Sequence, residues 1–299
     1  EDITMSKQQA KLGLICVALL WGISYFLDQL AINAGMHSSM INAWRGGLCA
    51  LTGLVIFHRQ LKHLTAYDLR VGIISGIISF LGYYFQTDAL RYTTPAKNAF
   101  ITSLYVIIAP FIIWAIWRER PQRKEWLAML IAIFGTAFIS GLSLTDLHLQ
   151  SGDLLSLIGA IFWAGQLIVF GRYAGKASSP WVVITLIGLV EFFVGTICTC
   201  LFERATFHQI DWLAAIIPLA ILAIGITFIA QGLQIISQRQ VDPATAGLIL
   251  ITESLFAGLF SVLFGFDKLT SHLIIGGSLL ILANIVMQLD LVHLRKIKH

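Results

Sequence analysis

Ten stretches of this chain are long and apolar enough to cross a lipid bilayer, and that feature leaves few folds open. A hydrocarbon core takes about 20 mostly apolar residues of helix. Runs of this kind span approximately 12–34, 40–57, 70–90, 97–117, 126–142, 153–171, 181–201, 212–236, 244–264 and 272–292, with short loops between them and no stretch resembling a separate soluble domain. Only 12% of the 299 residues are charged and 57% are hydrophobic, with a mean hydropathy of +0.81. Soluble domains carry about 25% charged residues, so this surface is built to meet lipid. The expectation is an all-α integral membrane protein of ten transmembrane helices.

Lysine and arginine orient such helices because they accumulate in cytoplasmic loops. With the N-terminus inside, fifteen fall on the cytoplasmic side and four (Arg91, Lys97, Arg204 and Lys268) outside, while Arg45 lies within a span. This predicts a multi-pass protein of the bacterial cytoplasmic (inner) membrane with both termini cytoplasmic. The residues before Met5 read as a remnant ahead of the natural start. Residues 1–11 then form the N-terminal tail and 293–299 a basic C-terminal one. Basic residues are dispersed over loops, which argues against a nucleic-acid partner. Cys16, Cys49, Cys198 and Cys200 sit in apolar runs without CxxC or His-rich spacing. They read as small buried hydrophobes, and no metal or cofactor is expected.

Internal similarity divides the chain into halves, 12–142 and 153–292. Ala18-Leu19-Leu20-Trp21-Gly22 parallels Ala160-Ile161-Phe162-Trp163-Ala164, and Pro95-Ala96-Lys97-Asn98-Ala99 parallels Pro243-Ala244-Thr245-Ala246-Gly247. At that second offset of 148, Gln86 falls on Gln234 and Tyr105 on Glu253. Five spans per half is an odd number, so the second half enters the membrane from the opposite side. The predicted fold is two inverted five-helix repeats, an arrangement that places a transporter's substrate site near the midplane at the repeat interface.

A charged side chain at the bilayer centre costs ~2.5–3.5 kcal/mol on insertion scales, so those within spans should face the bundle interior. Glu253 lies near the middle of span 9, where charging a carboxyl is costly. It is the candidate for proton coupling as well as for substrate binding, against the plainer reading of a protonated acid bonded to a neighbouring helix. Asp28 has Trp21 and Tyr25 on its helix face at i−7 and i−3, a column suited to an amino- or cation-bearing substrate. The competing reading is an aspartate paired to a loop cation. Arg45 and Glu191, at similar depths in spans 2 and 7, read as structural charge, with Arg45 paired to Asp28 or Asp88. Asp88 also has Arg91 beside it.

Uncharged polar residues recur at helical spacing: Thr227, Gln231, Gln234 and Gln238; Asn98, Thr102 and Tyr105; Trp163 and Gln166. Amides facing lipid are costly, so these stripes should converge on one wet interior. The alternative is interhelical hydrogen bonding, worth ~0.6 kcal/mol per bond on average. Trp21, Tyr83, Tyr84, Tyr105 and Trp163 are available to stack on a ring or cation. The small residues Gly72, Ser75, Gly76 and Ser79, with Gly276 and Gly277, read as packing ridges. Asn284 and Gln288 stay open between cavity and helix pair.

An early Trp21-Gly22, the Trp44-Arg45-Gly46 opening of span 2, the run from Tyr92-Thr93-Thr94-Pro95 to Tyr105, and Glu253 inside span 9 together resemble the EamA branch of the drug/metabolite transporter superfamily over essentially the whole chain. The resemblance implies a ten-helix bundle with a central cavity lined mainly by spans 1, 3, 4, 6, 8 and 9, exporting amino acids or related metabolites. Where that branch commonly has Glu-Pro in span 9, this chain has Glu253-Ser254. The first half keeps Pro110. The expected function is secondary transport of small polar or amphipathic metabolites, amino acids foremost, by alternating access, with protons as the coupling ion to test and a monomer or weak homodimer as the assembly. No GxxxxGK[ST] loop is present for direct ATP drive. A non-transporting sensor or assembly subunit is the alternative. An intramembrane enzyme would need a nucleophile–base pair or a metal motif that no span carries.

Overall fold

A computed structural model describes residues 5–139, 150–203, 208–241, 246, 249–250 and 252–288. Among the described residues the chain is all-helical, without strands. The first half contains α1 (Lys7–Asn33), α2 (Ser38–Ile56), the single turn α3 (His58–Leu61), α4 (Ala66–Ala89), α5 (Pro95–Thr102), α6 (Tyr105–Trp117) and α7 (Arg123–Ile139). The second contains α8 (Ser151–Arg172), α9 (Pro180–Cys198), α10 (Trp212–Ala220), α11 (Gln231–Gln238), α12 (Thr252–Leu263) and α13 (Ser271–Gln288). Six stretches among the described residues are long and apolar enough to cross a membrane: Lys7–Asn33, Ala66–Ala89, Pro95–Trp117, Ser151–Lys176, Pro180–Glu203 and Trp212–Gln238. Helices α12 and α13 are apolar but shorter, and α2 and α7 occupy the second and fifth expected runs. The Pro243-Ala244-Thr245 motif, Gly247, the 140–149 connection and the C-terminal tail lie outside the described residues.

Local chemistry sets the helix starts. Ser6 accepts from the Gln9 N–H at 3.2 Å while the Gln9 side chain accepts from the Ser6 N–H at 2.8 Å, a reciprocal cap that satisfies two otherwise bare donors. Proline opens α5 and α9, where its missing N–H would have had no helical partner. Carboxylates from elsewhere settle on helix N-termini, where the helix dipole favours negative charge. Glu203 accepts from the Ser39 and Met40 N–H groups of α2 at 3.0 and 3.1 Å. Asp267 accepts from the Ala96 N–H of α5 at 3.1 Å, and Asp68 from the Ser178 N–H just ahead of α9 at 2.8 Å.

Two spans depart from regular α-helix. Span 4 breaks at Ser103–Leu104, several residues before Pro110. There the N–H groups of Leu104, Val106 and Ile107 bond back three residues, to the carbonyls of Ile101, Ser103 and Leu104, a tightened turn of the kind found at hinges. In span 8, Pro218 is followed by a π-helical segment, Ile221–Ala230, whose i→i+5 bonding rotates the face that follows. The expected straight stripe is therefore disrupted. Thr227 donates to its own Leu222 carbonyl at 3.0 Å, and Gln238 sits half-buried at the helix end.

Helix contacts map onto themselves when the halves are exchanged. α2 packs on α9, α7 on α13 and α5 on α12; α4 meets α8 as the α10–α11 helix meets α1, and α1 meets α12 as α5 and α6 meet α8. The start of α1 lies beside the end of α11 (Gly13 against Leu233 and Ser237), and the end of α11 lies beside Gly175, just past α8. Thus α8 runs opposite to α1. At the α2–α9 seam the two backbones approach closely. A Cβ on Gly46 would stand 2.6 Å from the Gly188 carbonyl oxygen, and one on Gly188 would stand 2.8 Å from that of Gly46. Gly53 abuts Thr185 as Gly195 abuts Ala43, the same contact repeated at an offset of 142. The ridge expected on span 3 also packs, Gly72 against Leu186 and Gly76 against Val190. One expectation is corrected: only Cys49 is buried, Cys198 is half-buried, and Cys16 and Cys200 are exposed on the outer surface, all four free. A span apolar on every side gives no sequence signal separating its lipid face from its buried one.

Candidate functional site

The two halves line a narrow chamber among α1, α4, α5, α6, α8, α11 and α12. Its wall is organised by the repeat. Trp21 and Trp163, related by 142 residues, both line it, as do Ser24 and Gln166 at the same offset. Gln86 and Gln234, related by 148, line it with Tyr105 and Glu253, again at 148. Tyr83, Thr102 and Leu167 complete the wall.

On one side the wall is tied together. The Trp163 indole N–H donates to Gln86 Oε1 at 2.7 Å, and Gln166 Nε2 donates to Ser79 Oγ at 2.8 Å. The Tyr83 ring stands edge-on to Trp163, its centroid 4.5 Å away, and the Tyr83 hydroxyl accepts from Gln231 Nε2 at 2.9 Å. Opposite, the Tyr25 hydroxyl donates to Glu253 Oε1 at 2.9 Å. At the offset of 142 the counterpart of Tyr25 is Leu167, which has no hydroxyl, and the Tyr105 hydroxyl is left without a partner. Four buried wall atoms lack any hydrogen-bond partner among the described residues: Trp21 Nε1, Tyr105 Oη, Gln234 Oε1 and Glu253 Oε2. A donor, a hydroxyl, an amide carbonyl and a carboxylate oxygen thus stay unmatched on residues that share one wall.

The structure separates the remaining sequence candidates from this wall. Asp28 pairs with Arg45 at 3.7 Å, both fully buried, and the Arg45 guanidinium lies 3.8 Å above the Tyr83 ring. Asp28 therefore leaves the column it was expected to share with Trp21. Glu191 is equally buried, against Gly46 from across the α2–α9 seam. Asp88 pairs with Arg91 at 3.4 Å. Asn98 donates to the Gln86 backbone carbonyl at 2.7 Å and accepts from Thr102 at 3.0 Å, so it holds α5 to α4 behind the wall. Gln231 and Tyr25 likewise act from behind, through Tyr83 and Glu253. Tyr84 stacks on Phe80, and Asn284 donates to the Leu280 carbonyl of its own helix. The side chain of Gln288 lies outside the described residues. Sequence reasoning passed over Ser24, Gln86 and Leu167 as wall residues, although the alignment of Gln86 with Gln234 was the available signal. Among the described residues no group of three or more His, Cys, Asp or Glu is placed to hold a metal ion.

Comparison with known proteins agrees with this architecture. A crystal structure of another protein superposes with a TM-score of 0.65 at 18% identity, over 94% of this chain and 98% of that one, which shows a common fold. An uncharacterized transporter of Archaeoglobus fulgidus is 32% identical over 281 residues, spanning 94% of this chain and 86% of its own length. The uncharacterized transporter YyaM of Bacillus subtilis is 28% identical over 200 residues, spanning 62% of this chain and 64% of its own. The EamA-like transporter family matches twice, at residues 9–141 and 150–288, once on each set of helices that the contacts relate. This doubled match makes the chain a multi-pass membrane transporter rather than an enzyme, a member of the EamA-like transporter family.

Proposed function

We propose that this transporter is a secondary carrier of small polar or amphipathic metabolites, amino acids foremost, exporting them across the cytoplasmic membrane by alternating access around the central chamber. Ten spans, grouped as 12–142 and 153–292 with both termini cytoplasmic, and a monomer or weak homodimer complete the proposal. The observation that carries it is the set of four chamber-lining residues that each keep one unpartnered buried polar atom, inside a bundle whose outside is apolar. Buried polar groups left unmatched are costly, and a solute bearing an amino group and an acceptor oxygen matches all four. Trp21 and Trp163 supply faces for its apolar part, with Tyr83, Thr102, Tyr105, Gln166, Gln234 and Glu253 around its polar ends. Tyr25, Asn98 and Gln231 position those groups. Arg45 and Glu191, with Asp28, anchor the bundle.

Glu253 is the proposed proton carrier: it lines the chamber, one carboxylate oxygen is held by Tyr25, and the other has no partner among the described residues. The test is uptake and counterflow of labelled amino acids in liposomes, preceded by a thermal-shift panel to choose solutes, since ligands stabilise the folded state they bind. Saturable counterflow supports the carrier. A solute that stabilises the protein yet never crosses the bilayer favours the sensor reading. Glu253→Gln is expected to remove pH-driven flux and keep solute exchange, and loss of both contradicts the proton role.

A further inference from the structure

The offsets of 142 and 148 that relate the two halves also relate their hydrogen bonds, and the bonds differ on the two sides. Between α4 and α8, Trp163 Nε1 donates to Gln86 Oε1 at 2.7 Å and Gln166 Nε2 to Ser79 Oγ at 2.8 Å. The counterparts of these four residues are Trp21, Gln234, Ser24 and Thr227, on α1 and on the helix running from α10 to α11. Neither bond is made there. Trp21 Nε1 and Gln234 Oε1 have no partner, although the two side chains are only 9% and 1% exposed. Ser24 and Thr227 turn back to the Trp21 and Leu222 carbonyls of their own helices, at 2.7 and 3.0 Å. Between the two sides, Tyr83 and Gln231, counterparts of one another at 148, are bonded directly at 2.9 Å.

We propose that the Trp163–Gln86 and Trp21–Gln234 pairs are alternative latches, made one at a time. The conformer described here makes the α4–α8 bond. The alternate conformer makes the bond between α1 and the α10–α11 helix, and the Gln86 and Gln234 carbonyls exchange bonded and free roles. Exchanging one indole–amide bond for an equivalent one leaves the count of unmade buried bonds constant, so the two conformers differ little in energy, as alternating access requires. The latch makes Gln86 a positioning residue of the transport cycle. It rests on the alternating-access reading above, but it is measured without a substrate.

The indole N–H resonances of the nitrogen-15-labelled full chain in nanodiscs, assigned with Trp21→Phe and Trp163→Phe, read both latches directly. In the native protein the Trp163 proton is expected downfield, in the hydrogen-bonded range, and the Trp21 proton upfield of it. In Gln86→Leu the Trp163 proton should lose that shift and the Trp21 proton gain it. In Gln234→Leu the native pattern should persist. If Gln86→Leu yields no folded protein, Trp163→Phe breaks the same bond from its other side and should move Trp21 identically. A Trp21 proton that stays put in folded Gln86→Leu or Trp163→Phe overturns the latch, leaving the α4–α8 bonds as fixed packing. The two readings fail separately. Normal flux with an immobile Trp21 sinks the latch alone, whereas exchanging resonances in a protein that carries no solute uphold the latch and sink the carrier.

Discussion

Gly46→Ala adds one methyl group where α2 and α9 approach closely, and its cost follows from the geometry. The new Cβ would lie 2.6 Å from the Gly188 carbonyl oxygen, the Phe192 backbone nitrogen and Glu191 Cβ. Two of these are backbone atoms that no rotamer change can move. Ordinary contact begins at 3.4 Å, so the helices must separate by roughly 0.8 Å along a seam that has Gly53–Thr185 and Ala43–Gly195 on either side, loosening the close backbone packing on which membrane helix pairs depend. Overpacking of this kind costs about 1–3 kcal/mol, while alanine in a helix recovers about 0.5–1 kcal/mol relative to glycine. The expected net loss is about 0–2.5 kcal/mol, and about 1–3 kcal/mol relative to a helical glycine whose new methyl meets no neighbour. Gly171→Ala is the control, because a Cβ there meets nothing within 4 Å. Reversible SDS unfolding in mixed micelles, followed by circular dichroism, measures both. A Gly46→Ala protein as stable as Gly171→Ala would mean that the seam is not closely packed and that the repeat contact derived from it is wrong.

Other substitutions test other parts of the bundle. Asp28→Leu leaves the buried Arg45 guanidinium without its carboxylate and should cost about 3–5 kcal/mol in the same unfolding assay, whereas the double variant with Arg45→Met should recover most of that. Tyr25→Phe removes the donor to Glu253 Oε1 and should cost about 1–3 kcal/mol, detectable as a lower unfolding midpoint at unchanged helix content. Glu203→Ala strips the Ser39 and Met40 N–H groups of their acceptor and should cost about 0.5–2 kcal/mol, with Glu203→Gln falling between it and the parent.

Much of the fold is legible in the residues because each span must be apolar along its length, and six of the expected runs fall on helices long and apolar enough to cross a membrane. The repeat was readable from two short alignments, which paired Trp21 with Trp163 and Gln86 with Gln234 without assigning Gln86 to a wall. What escaped depends on partners distant in sequence. Stripe arguments assume 3.6 residues per turn, and the π-helical stretch from Ile221 to Ala230 breaks that assumption just before Gln231 and Gln234. Asn98 has the spacing of a wall residue, yet its amide is claimed by a backbone carbonyl of α4, which no pattern within span 3 or span 4 could announce. Asp28 shares a helix face with Trp21 but answers to Arg45 on another helix. The Gly46–Gly188 seam was missed because glycines four or seven apart are common in membrane spans, and only their opposition across two helices gives them meaning.

The replacement of a tyrosine by Leu167 at one corner of an otherwise doubled chamber has a directional consequence. A perfectly symmetric vestibule would accept an asymmetric solute in two opposite poses of equal energy. Here a carboxylate braced by a phenol stands at one pole and a lone phenol beside a leucine at the other. Under the carrier proposal, a molecule with a cationic head and an apolar tail has one preferred heading in the chamber.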